Sequence, residues 1–556
     1  MAEFLGVIDY LVFGSMLVVS ALVGVYFAFL APNKQDNTQE YLMGGKTMGV
    51  FPISMSLIAS YISGISLLGI PAEMYVYGTQ YWVVIFSEAL VSVTMAFVYI
   101  PVFYTLQITS SYEYLNLRFD KSVRTLGCFL FLIKMMLYIP MVVYVPALAF
   151  SQVTGINLHM ITPIVCSVCI FYTTLGGLKA VVWTDAIQMF AMLAGMASII
   201  IIGLKDMGLA TVIQRNMETH RIEFDVFDPD PRVRHTVWGV TIGNYFYWLA
   251  ACSVNQAMVQ RCLAMPTRAK ANLTILNLAI GIVILVSMCC FTGLILYAHF
   301  HGCDPILTKK IGKADQLLPY YVMAVGESIP GLPGMFVSGV FSAALSTMST
   351  GMNSMTGVIF EDLLKPFFKK PLSEATSSFI MKIIVVIIGA ICVGMVFVVE
   401  KLGALIQAGK SLSGITTGPL LGLFSLGMFV PWANSKGAMV GGICAVCVTG
   451  WMSVMSQVAI AQGEITYPKK AVSTEACPGP LPLNQTLHIL AQDDYMPHVQ
   501  VSYLWYSIIG TGTVLLVGTI VSYLTGFNDP RDVNKDLLTP VIHRFLPEKE
   551  KVNMSE

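Results

Sequence analysis

The stretch Ser56–Tyr75, SLIASYISGISLLGIPAEMY, is apolar enough for a bilayer core, yet it carries Gly64, Gly69 and Pro71 internally and Ser60, Ser63 and Ser66 three apart. A helix built this way is expected to break or unwind near its middle, because proline removes a backbone donor and glycine adds freedom. In lipid the freed backbone groups need partners, so an interrupted span belongs against protein or a polar cavity. A second stretch, Thr236–Gln256, TVWGVTIGNYFYWLAACSVNQ, has the same character, with Gly239, Gly243 and Asn244 before an aromatic run. It lies five spans further on. Interrupted segments at corresponding positions of two halves point to an inverted-repeat transporter, whose half-helix ends and free carbonyls hold ions and substrate near the midplane. The alternative is that the glycines only let helices pack closely.

The rest of the chain supports a membrane setting. Of its 556 residues 56% are hydrophobic and only 12% charged, and a mean hydropathy of +0.72 excludes a soluble globular protein. The 32 Lys+Arg and 32 Asp+Glu cancel, which argues against nucleic acid as a partner and leaves the lipid bilayer as solvent. A hydrocarbon core of roughly 30 Å needs about twenty apolar residues per helix. Such runs predict about thirteen transmembrane helices in an all-α integral membrane fold: 9–30, 51–77, 80–106, 125–151, 159–177, 184–204, 236–260, 273–298, 331–362, 379–400, 402–431, 435–457 and 501–525.

Short loops on one face carry Lys34, Lys46, Arg118, Lys121, Arg124, Lys179, Arg261, Arg268, Lys270, Lys365, Lys369 and Lys370, while the alternate short loops carry only Lys401. The long loop near 205–235 on that alternate face holds five basic residues, but long loops obey the rule poorly. The basic face is therefore expected to be cytoplasmic, with the N-terminus outside and a polar C-terminal tail inside. The opposite face holds long loops near 205–235, 299–330 and 458–500, with a glycosylation sequon at Asn484. Most of the twelve cysteines lie in apolar runs, including Cys166/Cys169 and Cys444/Cys447, and read as buried small hydrophobes. Cys303 and Cys477 lie in two of the long loops, where a disulfide is possible.

Span nine, SGVFSAALSTMSTGMNSMTG (338–357), is dense in hydroxyls. Ser342, Ser346, Ser349 or Thr350, and Asn353 share one face, with Thr347 beside Ser346. A dehydrating alkali cation wants several oxygens, which hydroxyls and unwound carbonyls supply; the alternative is back-bonding of each hydroxyl to the preceding turn. No HExxH, GxSxG or phosphate-binding glycine loop is present, so nothing points to an enzyme.

Seven stretches, in order, resemble the sodium/solute symporter family in its animal branch of monocarboxylate, multivitamin and iodide symporters: 56–73, 110–124 (SSYEYLNLRFDKSVR), 173–190 (TTLGGLKAVVWTDAIQMF), 228–238 (DPDPRVRHTVW), 253–264 (SVNQAMVQRCLA), 341–366 and 418–434. The resemblance covers about residues 9–457. It implies a leucine-transporter-like core of five plus five inverted spans (spans 2–11, residues 51–431). Around the core it leaves an N-terminal flanking span and loop (1–50), two C-terminal flanking spans (432–525) and a tail (526–556). It further implies co-transported sodium held by carbonyls of Ala59, Ile62 and Ala343 and hydroxyls of Ser346 and Thr347, with Asp185 linked to sodium coupling or, alternatively, capping a helix. The family's pocket maps to Tyr61, Ser66, Glu88, Trp248 and Lys410, and Asn255 and Gln256 read as structural contacts. Glu88 and Lys410 depart from the family pattern, and Lys134 adds a third charge inside an apolar run. Charges at membrane depth mark a polar pathway or mutual pairs. The implied activity is sodium-coupled import of a small organic anion, with a sodium-binding membrane sensor, or a symporter of iodide or a zwitterion, as competing readings.

Overall fold

The computed structural model describes residues 6–31, 37–326, 329–370, 372–399, 405–477 and 500–547. Among them nine helices are long and apolar enough to cross a membrane. One of the nine, α9 (Leu158–Met207), is divided at Gly177, where φ is +52° and ψ −149°, backbone that glycine tolerates. Its two parts correspond to spans five and six. Span six therefore begins directly after Gly177, and residues 178–184, expected as a turn, are helical. Three further expected spans are not among the nine. They correspond to α3 (Val50–Tyr61) with α4 (Gly64–Tyr77), to α11 (Asn244–Ser253) with α12 (Gln256–Leu263), and to α17 (Leu405–Phe429).

Both interruptions are present: the first falls near the middle of its span, directly before Gly64, whereas the second lies well beyond Gly239 and Gly243. The first is at Ile62 and Ser63, whose ψ values of 105° and 166° leave the helical region. The Ser63 hydroxyl then accepts from the Ser66 N–H at 3.4 Å and caps the new helix. Pro71 sits inside α4. The second break is at Val254 and Asn255, about ten residues beyond Gly243, and the Asn255 side chain caps α12 by accepting from Ala257 N–H at 3.0 Å. Gly239–Gly243 instead forms a widened π-helical turn.

At the centre lies α15 (Leu332–Gly357). In its most apolar window 94% of the residues are buried, against 22% for α1 (Val7–Val25) and its extension to Leu30, so its hydroxyl stripe faces protein rather than lipid. It packs on α9, α8 (Lys121–Thr154), α1 and α3, while α13 (Arg268–His299) backs α3 and α4. Asp9 of α1 accepts from Gly334 N–H at 2.8 Å, filling one of the open donors in the first turn of α15. At the other end of the chain α18 (Ser435–Ala461) and α19 (Tyr506–Leu524) pack on α17.

The basic loops gather on one face. There Lys179 pairs with Glu40 at 2.7 Å, Arg124 with Asp362, and Arg118 donates to the carbonyls of Gly427, Val430, Pro431 and Ala433 at 2.9–3.2 Å. Residues of the C-terminal tail dock there too, through Tyr114 to the Leu537 carbonyl at 3.0 Å. The opposite face carries a disulfide between Cys303 and Cys477. Two of its long loops contain helices the sequence reading missed, α10 (Leu209–Glu218) and α14 (Leu317–Gly326). The Cys166/Cys169 pair is buried, but Cys444 is half-buried and Cys447 exposed. These two point outward from α18, where lipid accepts a small hydrophobe as readily as a core does. Asn484 lies outside the described residues, as does the Lys410 side chain.

Candidate functional site

The break after Tyr61 places the end of α3 against the middle of α15. Ala59, Ile62, Ala343 and Ser346 are each at most 2% exposed and Thr347 5%. Ser60 Oγ lies 3.1 Å from Ser346 Oγ and 3.0 Å from Thr350 Oγ1, so the two helices meet through hydroxyls. Thr347 donates to the Ala343 carbonyl at 2.9 Å, the back-bonding geometry, whereas Ser346 points across the interface. Ser342, one turn before Ser346, has a buried hydroxyl without a hydrogen-bond partner among the described residues.

Asp185 sits beneath this contact, fully buried and eight residues into its helical segment, so it is not an interfacial cap. Its Oδ2 accepts from Ser56 Oγ at 2.6 Å and from Ser60 and Thr350 hydroxyls at 3.4 Å. Arg261, 1% exposed, stands 3.6 Å from the same oxygen and donates to the Ser56 carbonyl at 2.7 Å, to Ser60 Oγ at 2.8 Å and to Thr350 Oγ1. Asp185 Oδ1 has no hydrogen-bond partner among the described residues. Four separate segments, α3, α9, α12 and α15, thus converge on one oxygen-rich locus. The locus offers hydroxyl and carboxylate oxygens, and among the described residues no three His, Cys, Asp or Glu side chains converge. Arg261 was read only as a loop cation. Its place in the VQR run at the end of a broken span, where a buried cation needs an acid, is the signal that pointed here.

Beyond the break toward the disulfide face lies a cavity of ≈ 70 Å³ lined by Tyr61, Ser63, Ser66, Glu73, Glu88, Tyr138, Asn244, Trp248 and Tyr503 among others. Four of the five expected pocket residues are therefore together: Tyr61, Ser66, Glu88 and Trp248. The Tyr61 and Trp248 rings stack at 4.0 Å with 24° between planes, forming one wall. Trp248 Nε1 and Asn244 Nδ2 are buried and have no hydrogen-bond partner among the described residues. An indole N–H can only donate, so the cavity offers donors to an acceptor. Lys134 is half-buried on α8, one turn from Tyr138, and does not line the cavity. Asn255 and Gln256 are structural: Gln256 accepts from Ser111 N–H at 2.7 Å and donates to the Thr109 carbonyl at 3.0 Å.

Sequence reasoning missed the cavity's outer wall. Tyr503 and Leu504 come from the segment before α19, outside the expected core. At the outer end Glu73 of α4 pairs with Arg234 at 2.7 Å and with His235 at 3.3 Å. Nearby Asp315, half-buried and repelled by Glu73, has its carboxyl pushed up to about 6, chiefly by burial.

A broken helix joined through hydroxyls to a polar central helix, with a cavity beside the break, defines an ion-coupled carrier. Residues 41–445 match the model of the sodium:solute symporter family, and the chain belongs to that family. It is 40% identical over 533 residues to sodium-coupled monocarboxylate transporter 1 of Homo sapiens, covering 93% of this chain and 87% of the relative. It is 37% identical over 553 residues to the sodium-dependent multivitamin transporter of Oryctolagus cuniculus, covering 97% and 86%. A Na+-coupled sialic acid symporter, solved substrate-bound and outward-open, superposes with a TM-score of 0.76 at 24% identity, over 93% of this chain and 98% of that one. Its likeness shows that the fold is leucine-transporter-like.

Proposed function

We propose that this chain is a sodium-coupled symporter that imports a small monocarboxylate or vitamin-type carboxylate by alternating access. The observation that carries the reading is the buried N–H of Trp248, a residue of the cavity wall beside the helix break, which has no hydrogen-bond partner among the described residues. A buried donor left open costs free energy until a ligand acceptor fills it, and a carboxylate is such an acceptor. The printed identities of the relatives, monocarboxylate and multivitamin transporters, point to the same ligand class.

In this reading sodium is held by the carbonyls of Ala59, Ile62 and Ala343 with the hydroxyls of Ser346 and Thr347, and Asp185 couples it to the inward path. Substrate occupies the space between Tyr61, Ser66, Glu88 and Trp248, with Lys410 as a further candidate contact. Sodium ties α3 to α15, favouring the state open to the disulfide face; rocking of the bundle then exposes both ligands to the other side. The repeat core spans residues 51–431, with flanking segments 1–50 and 432–525 and a tail 526–556. Thirteen crossings put the N-terminus and a glycan on Asn484 outside the plasma membrane and the tail inside. Glu88 in the cavity wall favours a second reading, a zwitterion whose ammonium it would face. Uptake of labelled lactate, butyrate, pantothenate, biotin and iodide, alongside a neutral amino acid, into vesicles with and without a sodium gradient separates the two. Sodium-dependent carboxylate uptake supports the first; amino-acid uptake alone supports the second.

A further inference from the structure

Arg234 stands behind the cavity wall, against Glu73 and Tyr503, in a setting that a structural ion pair alone does not require. Its side chain is 12% exposed, and its Nε donates to Glu73, a residue of the cavity wall, at 2.7 Å. The guanidinium carbon lies 4.3 Å from the ring centre of Tyr77, 5.0 Å from that of Tyr467 and 5.5 Å from that of Tyr503. Three rings drawn from three segments shield the cation from water while leaving its charge undiminished. Its backbone is fixed by Ser502 Oγ, which donates to the Arg234 carbonyl at 3.0 Å. Yet Nη1 is buried and has no hydrogen-bond partner among the described residues. A guanidinium forks onto a carboxylate through two N–H groups. Here a single Glu73 oxygen takes Nε, and the rest of the fork is open.

We infer that Arg234 is an outer docking site for the carboxylate of the incoming substrate, with the Glu73 carboxylate occupying it while the mouth is closed. This deepens the monocarboxylate reading above and rests on it. An entering anion displaces Glu73 from the guanidinium and gains both fork hydrogen bonds. The Glu73–Arg234 contact across the mouth opens in the same exchange, and the substrate passes on to the Trp248 donor. His235 stands beside Glu73, with its Nε2 3.3 Å from Oε1. Asp315 repels Glu73 from the loop side and Lys313 lies next to it, so the local balance of charge does not trap the anion at the entrance.

The test uses the full-length chain in vesicles with a sodium gradient and radiolabelled butyrate, with surface protein quantified. Glu73→Gln removes the internal competitor and is expected to lower KM several-fold. Arg234→Gln removes the receptor and is expected to raise KM by about tenfold or more, the loss of a charge-assisted hydrogen bond. The double variant should behave like Arg234→Gln. Where Arg234→Gln does not reach the surface, Arg234→Lys keeps the charge but loses the fork. A raised KM in that variant supports the site, and an unchanged one overturns it. If Glu73→Gln and Arg234→Gln shift KM in the same direction, or neither shifts it, the pair is only a structural latch and the inference fails while the transport reading stands. If the unmodified chain takes up neither butyrate nor biotin with sodium, the transport reading fails and this site falls with it.

Discussion

Replacing Arg261 by Gln tests whether the cluster beneath the helix break holds the basic face shut. Arg261 and Asp185 are both essentially unexposed, with 3.6 Å between Nη2 and Oδ2. At an effective dielectric of about 20 that separation corresponds to an attraction of about 4–5 kcal/mol. Removing one partner of a buried pair costs about 3–5 kcal/mol, because it strands the other charge. Arg261 also ties α3 to α15 through the Ser56 carbonyl, Ser60 and Thr350, so Arg261→Gln should lose stability at the high end of that range. Asp185→Asn keeps those three donations and should lose less. The double variant strands no charge, so its loss should be smaller than the sum of the single losses by about 2–4 kcal/mol. Thermal unfolding of the purified protein in detergent gives the cycle. Accessibility of a cysteine introduced near Leu363, on the basic face, reports whether the face has opened. A coupling below about 0.5 kcal/mol, or single variants that are destabilised without any gain in accessibility, would refute the idea that this pair is the inner closure.

Ser346→Ala combined with Thr347→Ala should abolish the sodium dependence of uptake while surface expression stays near normal; unchanged sodium-dependent uptake would remove the ion site from α15. Trp248→Phe keeps the ring stacked on Tyr61 but deletes the N–H, so KM for a carboxylate should rise by about tenfold, and an unaltered KM would mean that the substrate does not use this donor. Asp315 has a native pKa of about 6 against an ordinary 3.8. The native form therefore binds its proton more tightly than the unfolded chain does, and native stability falls as pH rises from about 4 to about 6. Asp315→Asn should thus gain in melting temperature relative to the unmodified protein across that window and hold the gain above it; parallel curves would contradict the assignment.

Much of this was legible in the residues. Apolar length located the spans, and the basic residues of the short loops include two that the fold pairs with acids, Lys179 with Glu40 and Arg124 with Asp362. That spans two and seven are interrupted was legible too; the position was legible near Gly64 in span two but not in span seven. Glycine and proline only permit a break, whereas Ser63 and Asn255 make one by offering a side-chain acceptor to the next helix. Asp185 looked like a cap because GGLKAVVWT reads as a turn; a single glycine at 177 makes the bend and lets the following residues stay helical. Arg261 and Asp185 are 76 residues apart, and no local pattern declares that they meet. The same holds for Tyr503, which falls in a flanking span outside the expected core and which tertiary packing delivers to the cavity.

That last residue divides the labour of the molecule. In the proposed site the oxygens offered to sodium come from α3 and the break after it, α9 and α15, whereas part of the cavity wall is borrowed from residues 503 and 504, fastened by Ser502 N–H to the Pro231 carbonyl at 2.9 Å. Ion coupling and ligand taste are thus written in different stretches of chain. A protein built this way can be retuned from one cargo to another by editing a few residues ahead of its last helix, leaving the engine untouched.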